Sequence, residues 1–352
     1  MSLVLDIQGL AVRRATGGLL ARLRGTGREI TIVDGIDLEI AAGTTLALVG
    51  ESGSGKTTLA HAVVGLEPIA EGRVVVDGLS AEGWSQGWYG GPWRRLRRQI
   101  GVTFQDAVAS LDPRMTVAAS LAAPFRIHGL RGLDLRAEAA RLLDQVGLPR
   151  AFLDRYPHQL SGGQARRVSI ARAIALKPRL LIADEPTAGL DLSVQGEVLN
   201  LLVSLGRDLG LACLLITHNL PVARRMAGRI AIMYLGRIVE TGPAEAVFAN
   251  PRHPYTRALV NARGSGARAL VGEAPSLASR PSGCEFAARC PEAQARCRAE
   301  APAETSIEAG RRIRCHFPLA DASPSREIAA DPAAGGGLRA AAVRSKGANR
   351  RI

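Results

Sequence analysis

The stretch GESGSGKT, Gly50–Thr57, restricts this chain more than any other. The apolar run TTLALVG precedes it, and residues 56–65 read as a helix. A strand, a glycine-rich loop and a helix in that order begin an α/β unit with a mostly parallel sheet. Small residues are needed because successive backbone N–H groups must turn inward around phosphate oxygens. The helix then adds its amino-terminal dipole to the cradle. Gly50, Glu51, Ser52, Gly53, Ser54, Gly55 and Thr58 are therefore expected around a nucleotide polyphosphate. Lys56 is expected to reach the terminal phosphates, and Thr57 to offer a hydroxyl to Mg2+. Lys56 is the only lysine in the first 176 residues.

RLLIADEP reads as a buried strand that delivers Asp184 to its carboxyl end, where a carboxylate can hold the Mg2+ shell. Glu185 follows, placed to polarise an attacking water. His218 ends the next apolar strand, LLITHN, and can donate to the γ-phosphate. Gln105 closes IGVTFQ and can touch Mg2+ or the water. Strand ends converging on one crevice are where open α/β sheets bind ligands.

At 352 residues the chain is too long for one ordinary core. A hydrophobic fraction of 47% with 22% charged residues is globular composition. The net charge of +13 is weak evidence for nucleic acid, because the arginines are scattered and only three of the 45 basic residues are lysines. No window holds 18 uninterrupted apolar residues, and the N-terminus MSLVLDIQGL lacks the pattern of a leader, which together point to the cytoplasm. Short strands and turns are expected over residues 1–50. Helices dominate 115–177, and RIAIMYLGRIVETG forms a hairpin about Gly236. The aromatic and basic segment 83–98 resembles a nucleic-acid platform in composition, but reads rather as a surface insertion between strands or a contact with membrane proteins or lipid headgroups.

Another motif asks for an explanation. LSGGQ, Leu160–Gln164, places paired glycines at the start of a helix, where Ser161 alone would make an adequate cap.

In their order and spacing these motifs resemble the ATP-binding subunits of ATP-binding-cassette (ABC) transporters. SLDPRMTV, RYPHQLSGGQ, FANPRHPYTRAL and PSGCEFAARCPEAQARC further resemble the oligopeptide/dipeptide importer branch, over roughly residues 3–318. The resemblance implies a P-loop NTPase of ABC type. Its parts are a mostly parallel core sheet, an antiparallel β subdomain, a helical signature subdomain and a small irregular C-terminal cysteine domain. It implies a nucleotide-binding domain over 1–256 with the helical part near 106–177 and a C-terminal domain over 257–320; residues 321–352, rich in Ala, Gly, Pro, Ser and Arg without periodicity, read as a disordered tail. ATP is bound and hydrolysed with Mg2+. The resemblance further implies that Ser161, Gly162, Gly163 and Gln164 serve the nucleotide of a second ATPase subunit, and that Asp191 of the loop AGLD is a nucleotide-site residue. The other implied partners are two membrane permease subunits and an extracytoplasmic solute-binding protein, with no nucleic acid. The implied location is peripheral, on the cytoplasmic face of the inner membrane. A soluble cassette ATPase acting on nucleic acid or ribosomes is the rival class, and an importer of nickel or another solute the rival cargo.

The family's usual aromatic adenine platform is missing, since no Phe, Tyr or Trp precedes Trp84. Arg13, Arg14 or an apolar residue of GGLLARL is left to cover the base. Asn219 follows the histidine where Asp is common, and Ala107 stands where the family has Pro.

Cys284, Cys290, Cys297 and Cys315 are separated by five, six and seventeen residues. By chemistry alone they admit zinc, an iron–sulfur centre or unligated thiols, and paired CxxC spacing is absent. The resemblance selects a [4Fe-4S] cluster, with zinc as the alternative and His316 as a possible substitute ligand. Cys213 is expected to be a small buried hydrophobe.

Overall fold

The computed structural model describes residues 2–16, 28–80, 91–261, 272–308 and 310–320. The segment GGLLARL, residues 83–90 of the 83–98 insertion and the 321–352 tail lie outside the described residues.

Two sheets carry the fold. The first is antiparallel, in the order β2-β1-β4-β5, from β1 (Leu3–Thr16), β2 (Arg28–Ala41), β4 (Glu71–Val76) and β5 (Leu79–Ser80). The second contains β3 (Thr45–Val49), β6 (Ile100–Thr103), β7 (Leu180–Asp184), β8 (Ala212–Thr217), β9 (Arg229–Tyr234), β10 (Arg237–Pro243), β11 (Thr305–Glu308) and β12 (Arg311–Ile313). Its order is β11-β12-β10-β9-β3-β8-β7-β6. Strands β9, β3, β8, β7 and β6 pair in parallel, and the far edge is antiparallel. Every residue of β7 and β8 is buried, as near-continuous apolar runs require when both faces are covered.

The helices are α1 (Lys56–Val64), α2 (Gly91–Arg98), α3 (Val117–Ile127), α4 (Leu135–Gln145), α5 (Gly162–Ile174), α6 (Leu192–Leu209), α7 (Leu220–Met226), α8 (Ala244–Ala249), α9 (Pro254–Asn261) and α10 (Ala295–Ala299). Thr116, Asp134, Ser161 and Asp191 each cap the helix that follows by accepting a backbone N–H. One apolar cluster joins the antiparallel sheet, α1 and the core sheet, with Leu5, Leu48 and Leu59 at its centre. A second, with Leu121, Leu142 and Val168, is the core of the helical subdomain. The third packs α7, α8 and Phe286 against the other face of β8 and β9.

Two sequence expectations change here. Before the expected short strand β3, residues 1–50 hold two long strands, β1 and β2, rather than several short ones. β1 stays paired through irregularities around Gly9, whose φ of 56° suits glycine. The cysteine segment is not wholly irregular, because β12 adds to the core sheet beside β10. Arg311 secures that edge: its guanidinium, 2% exposed, donates to Glu240 Oε1 at 2.6 Å and to the Asn250 carbonyl.

Candidate nucleotide site

The P-loop connects the end of β3 to the start of α1. A side chain on Gly50 would collide with the Met233 carbonyl oxygen, and one on Gly55 would come within 3.0 Å of the Ile32 carbonyl oxygen. The φ of Gly55 is 103°, a conformation that favours glycine. Packing against β9 and β2 thus demands glycine independently of any phosphate. Lys56 is 7% exposed, and its ammonium donates to the carbonyls of Gly50 (2.8 Å) and Glu51 (2.7 Å) and to Ser54 Oγ (3.3 Å). Burial lowers its pKa, while the carboxylates of Glu185, Asp184 and Glu51 oppose that shift.

β7 ends at Asp184, whose carboxylate accepts a hydrogen bond from the Thr57 hydroxyl at 3.2 Å. Burial raises the pKa of Asp184 against the lowering effect of that bond. Glu185 follows with φ of 44°, an uncommon backbone for a residue with a side chain. Its carboxylate is held by the end of β8. It accepts from the Thr217 hydroxyl (3.2 Å) and the His218 N–H (3.0 Å), and lies 2.6 Å from His218 Nδ1.

A cavity of about 660 Å3 is lined by Gly50, Glu51, Ser52, Gly53, Gly55, Lys56, Thr57 and Thr58 together with Gln105, Asp184, Glu185 and His218. Ser54 is buried beneath the loop. Arg14, Ile32, Val49, Leu220, Leu259 and Leu277 complete the lining. Of the candidates for covering a base, Arg14 reaches this cavity and pairs with Glu67, whereas Arg13 pairs with Glu71. Leu259, Leu277 and Ile32 carry no local signal that would have marked them.

Ser161–Gln164 and Asp191 are absent from this cavity's lining. Ser161 and Gln164 form a reciprocal capping box at the start of α5. A side chain on Gly163 would lie 2.6 Å from Val194 Cγ1, so one of the paired glycines is needed for packing against α6. Asp191 accepts from the Val194 N–H at 2.9 Å and caps that helix. Gly162 lines a separate cavity of about 450 Å3 that also meets Gln105 and the Ala188–Leu190 turn. Beneath it Arg166, 2% exposed, donates to the carbonyls of Phe104 and Gln105, both at 2.6 Å. Arg166 therefore ties α5 to the backbone of Gln105. It had no motif of its own to mark that part.

Residues 33–188 match the family model described as ABC transporter, and residues 239–297 the model of the oligopeptide/dipeptide transporter C-terminal region. A putative peptide import ATP-binding protein of Brucella abortus (strain 2308) is 42% identical over 302 residues, 84% of this chain and 89% of that protein. The chain belongs to the ATP-binding subunits of the oligopeptide/dipeptide ABC importer family. The oligopeptide transport ATP-binding protein OppF of Salmonella typhimurium (strain LT2) is 41% identical over 281 residues, 77% of this chain and 83% of that one. Among solved structures, a dimeric post-hydrolysis state of the ATP-binding cassette MJ0796 bound to ADP and Pi superposes with a TM-score of 0.59. It has 27% identity over 68% of this chain and 98% of that one. The chain is an ATP-hydrolysing subunit coupled to ABC-type transport. No helix among the described residues is long and apolar enough to cross a membrane.

The cysteines of this family member correct an expectation. Among the described residues no group of three or more His, Cys, Asp or Glu is arranged to hold a metal ion, which overturns the [4Fe-4S] cluster and the zinc alternative alike. Cys284, Cys290, Cys297 and Cys315 are free thiols around a cavity of about 10 Å3 that also touches Phe286 and Phe317. Cluster ligation takes thiolates. Burial instead pushes Cys284 up to about 12 and Cys315 up to about 11, and raises Cys290. His316 Nε2 is 2.9 Å from the Glu300 carbonyl oxygen and donates there. Cys213 is buried within β8 with its thiol pushed up to about 12, as a small hydrophobe should be.

Proposed function

We propose that this ATPase powers uptake of di- or oligopeptides from the cytoplasmic face of the inner membrane. It would pair head-to-tail with a second cassette subunit, beneath two permease subunits fed by an extracytoplasmic solute-binding protein. One observation carries the reading. The cavity lined by Lys56, Asp184, Glu185, His218 and Gln105 lacks the serine–glycine edge, of which Gly162 lines another cavity of the same chain. Each nucleotide site is therefore completed by a neighbouring subunit, and the bound nucleotide joins the two. The peptide-import names of the Brucella and Salmonella relatives, with the C-terminal family match, support peptide cargo.

Within one site the P-loop amides and Lys56 hold the β- and γ-phosphates. The Thr57 hydroxyl and Asp184 carboxylate face each other with Gln105 on the same wall, a hard oxygen set that fits Mg2+. Bound there, Mg2+ supplies positive charge to the phosphates. Glu185, aimed by Thr217 and His218, takes the proton of the attacking water, and His218 steadies the γ-phosphate. Ser161, Gly162, Gly163, Gln164 and Asp191 meet the nucleotide of the neighbour.

Glu185→Gln in the purified membrane complex tests these roles. We expect turnover to fall by about 10²–10⁴-fold while MgATP still binds and the dimer accumulates closed, read by ATPase assay and crosslinking. Unchanged steady hydrolysis would remove Glu185 from the reaction. Identifying the copurifying subunits and captured solute tests the cargo, and a captured metal ion in place of peptide would overturn it.

A further inference from the structure

The C-terminal segment touches the phosphate cradle through one arginine. Arg289 donates from Nη1 to Glu51 Oε2 at 2.9 Å and from Nη2 to Glu51 Oε1 at 3.0 Å, a two-pronged pair between residues 238 apart in sequence. The Arg289 side chain is 7% exposed and that of Glu51 26%. Nη1 is also 3.3 Å from the Tyr234 hydroxyl, and the guanidinium lies 5.9 Å from the centre of that ring. Glu51 is held at its backbone too, because its N–H donates to the Tyr255 hydroxyl at 3.0 Å.

The arginine's own position is firmly set. Phe286, three residues before it, packs against Tyr234 and Tyr255 with ring centres 5.4 Å from each. Arg280 of the same segment donates to the Leu235 carbonyl at 2.7 Å and the Thr31 carbonyl at 3.2 Å. Glu285 pairs with Arg237 at 2.7 Å. These contacts fasten the segment to β2 and to the β9–β10 turn, and that turn supports the P-loop in its own right through the Gly236 N–H to Ser54 carbonyl bond of 2.9 Å.

The electrostatic consequence follows from what Glu51 would do alone. It places a carboxylate on the wall of a cavity built for a polyphosphate, and it is one of the three carboxylates acting on Lys56. An unpaired negative charge there opposes the incoming phosphates and competes for the Lys56 ammonium. A bidentate guanidinium removes that charge and fixes the carboxylate's direction.

We propose that Arg289 is a positioning residue of the nucleotide site: the C-terminal segment neutralises Glu51 and holds the first turn of the P-loop ready for MgATP. The proposal rests on Gly50–Thr57 being the phosphate cradle, and binding of MgATP by the unaltered chain checks that separately.

The test measures calorimetric MgATP affinity, and thermal unfolding without nucleotide, for the full chain and for R289M, R289K, E51Q and R289M/E51Q. R289M is expected to weaken binding about tenfold, an effect of the order of one uncompensated charge near the phosphates. R289K, which keeps the charge and loses the fork, should fall between. R289M/E51Q should return to within about threefold of the unaltered chain, because the opposing charge is gone. That rescue belongs to affinity and not to folding, so it should appear even where the unfolding temperature of the double variant stays below that of the unaltered chain. Unchanged affinity in both R289M and R289K overturns the proposal. So does a loss that E51Q fails to relieve. If R289M does not fold, R289K and R289K/E51Q give the same comparison. Failure of the unaltered chain to bind MgATP would instead reject the phosphate cradle itself, and this proposal with it.

Discussion

The cavity above the P-loop measures about 660 Å3, and the one among the four late cysteines about 10 Å3. Both draw on buried ionisable groups, yet burial does different work in each. Beside the P-loop, Lys56 and Asp184 are desolvated but hydrogen-bonded, with opposite charges close by, and open space remains for a ligand. Among the cysteines the space is barely that of one water, aromatic rings close it, and burial favours the neutral thiol. A group kept polar beside a vacancy of ligand size is organised for binding. Soft groups packed to contact behave as core. Convergence of residue types is therefore insufficient without room and a suitable charge state.

The largest effect that can break this contrast lies in thiol chemistry. With Cys284 pushed up to about 12 and Cys315 to about 11, little thiolate is present at pH 8. Against an ordinary thiol near pKa 8.5, alkylation by iodoacetamide should be slower by roughly 10²–10³-fold. Peptide mass spectrometry of the folded chain, with a denatured control, measures this site by site. Labelling as fast as the denatured control would mean that the cysteine pocket is as open as the nucleotide site.

The contrast also explains what could be read from residues alone. Gly50–Thr57 encodes its site within one loop, and the apolar runs of β7 and β8 deliver Asp184, Glu185 and His218 to one crevice by sheet geometry. These elements were legible because neighbours in sequence do the work. The pairing of Arg289 with Glu51 joins residues 238 apart, and nothing near either one announces it. β12 was hidden for a similar reason, since three residues, RRI, become a strand only when β10 offers an edge and Glu240 receives Arg311. Cysteine spacing states how many thiols exist, whereas the volume left between them is decided by Phe286 and Phe317. The capping role of Ser161 was legible; the demand of Val194 on Gly163 required α6 to be in place.

A smaller effect sharpens the same comparison through histidine. His253 borders the cysteine cavity, is 1% exposed and accepts the Tyr255 N–H at Nδ1 over 3.0 Å. Burial lowers its pKa from 6.5 to about 3. The unfolded chain then binds this proton more readily than the folded one, so the stabilisation is complete above pH 6.5 and is lost as pH falls toward 3. In that window the contribution declines by up to about 1.4 kcal/mol per pH unit. Urea unfolding of the full chain at pH 7, 6 and 5 should show this slope reduced in His253→Gln. Equal slopes would mean that water reaches the ring and that this region is less tightly packed than the contrast requires.

The smallest expected effect concerns the part of the nucleotide cavity that resembles the packed pocket least and the solvent most. Among the described residues lining it there is no Phe, Tyr or Trp; Arg14, Ile32, Leu259 and Leu277 stand there instead. Aliphatic side chains contact any purine with little regard for its polar edge. The Arg14 side chain is 51% exposed and shared with Glu67, so its planar guanidinium can stack on a base but gains only modestly from doing so. Turnover of ATP and GTP should then differ by less than about fivefold in kcat/KM, and Arg14→Ala should raise KM for both by about threefold, the scale of an exposed cation–π contact. Equal losses for the two nucleotides would identify a stacking platform without edge recognition. A strong preference for ATP would instead require a hydrogen-bonding contact to the adenine edge, and the proposed head-to-tail pairing makes the partner cassette the place to seek it.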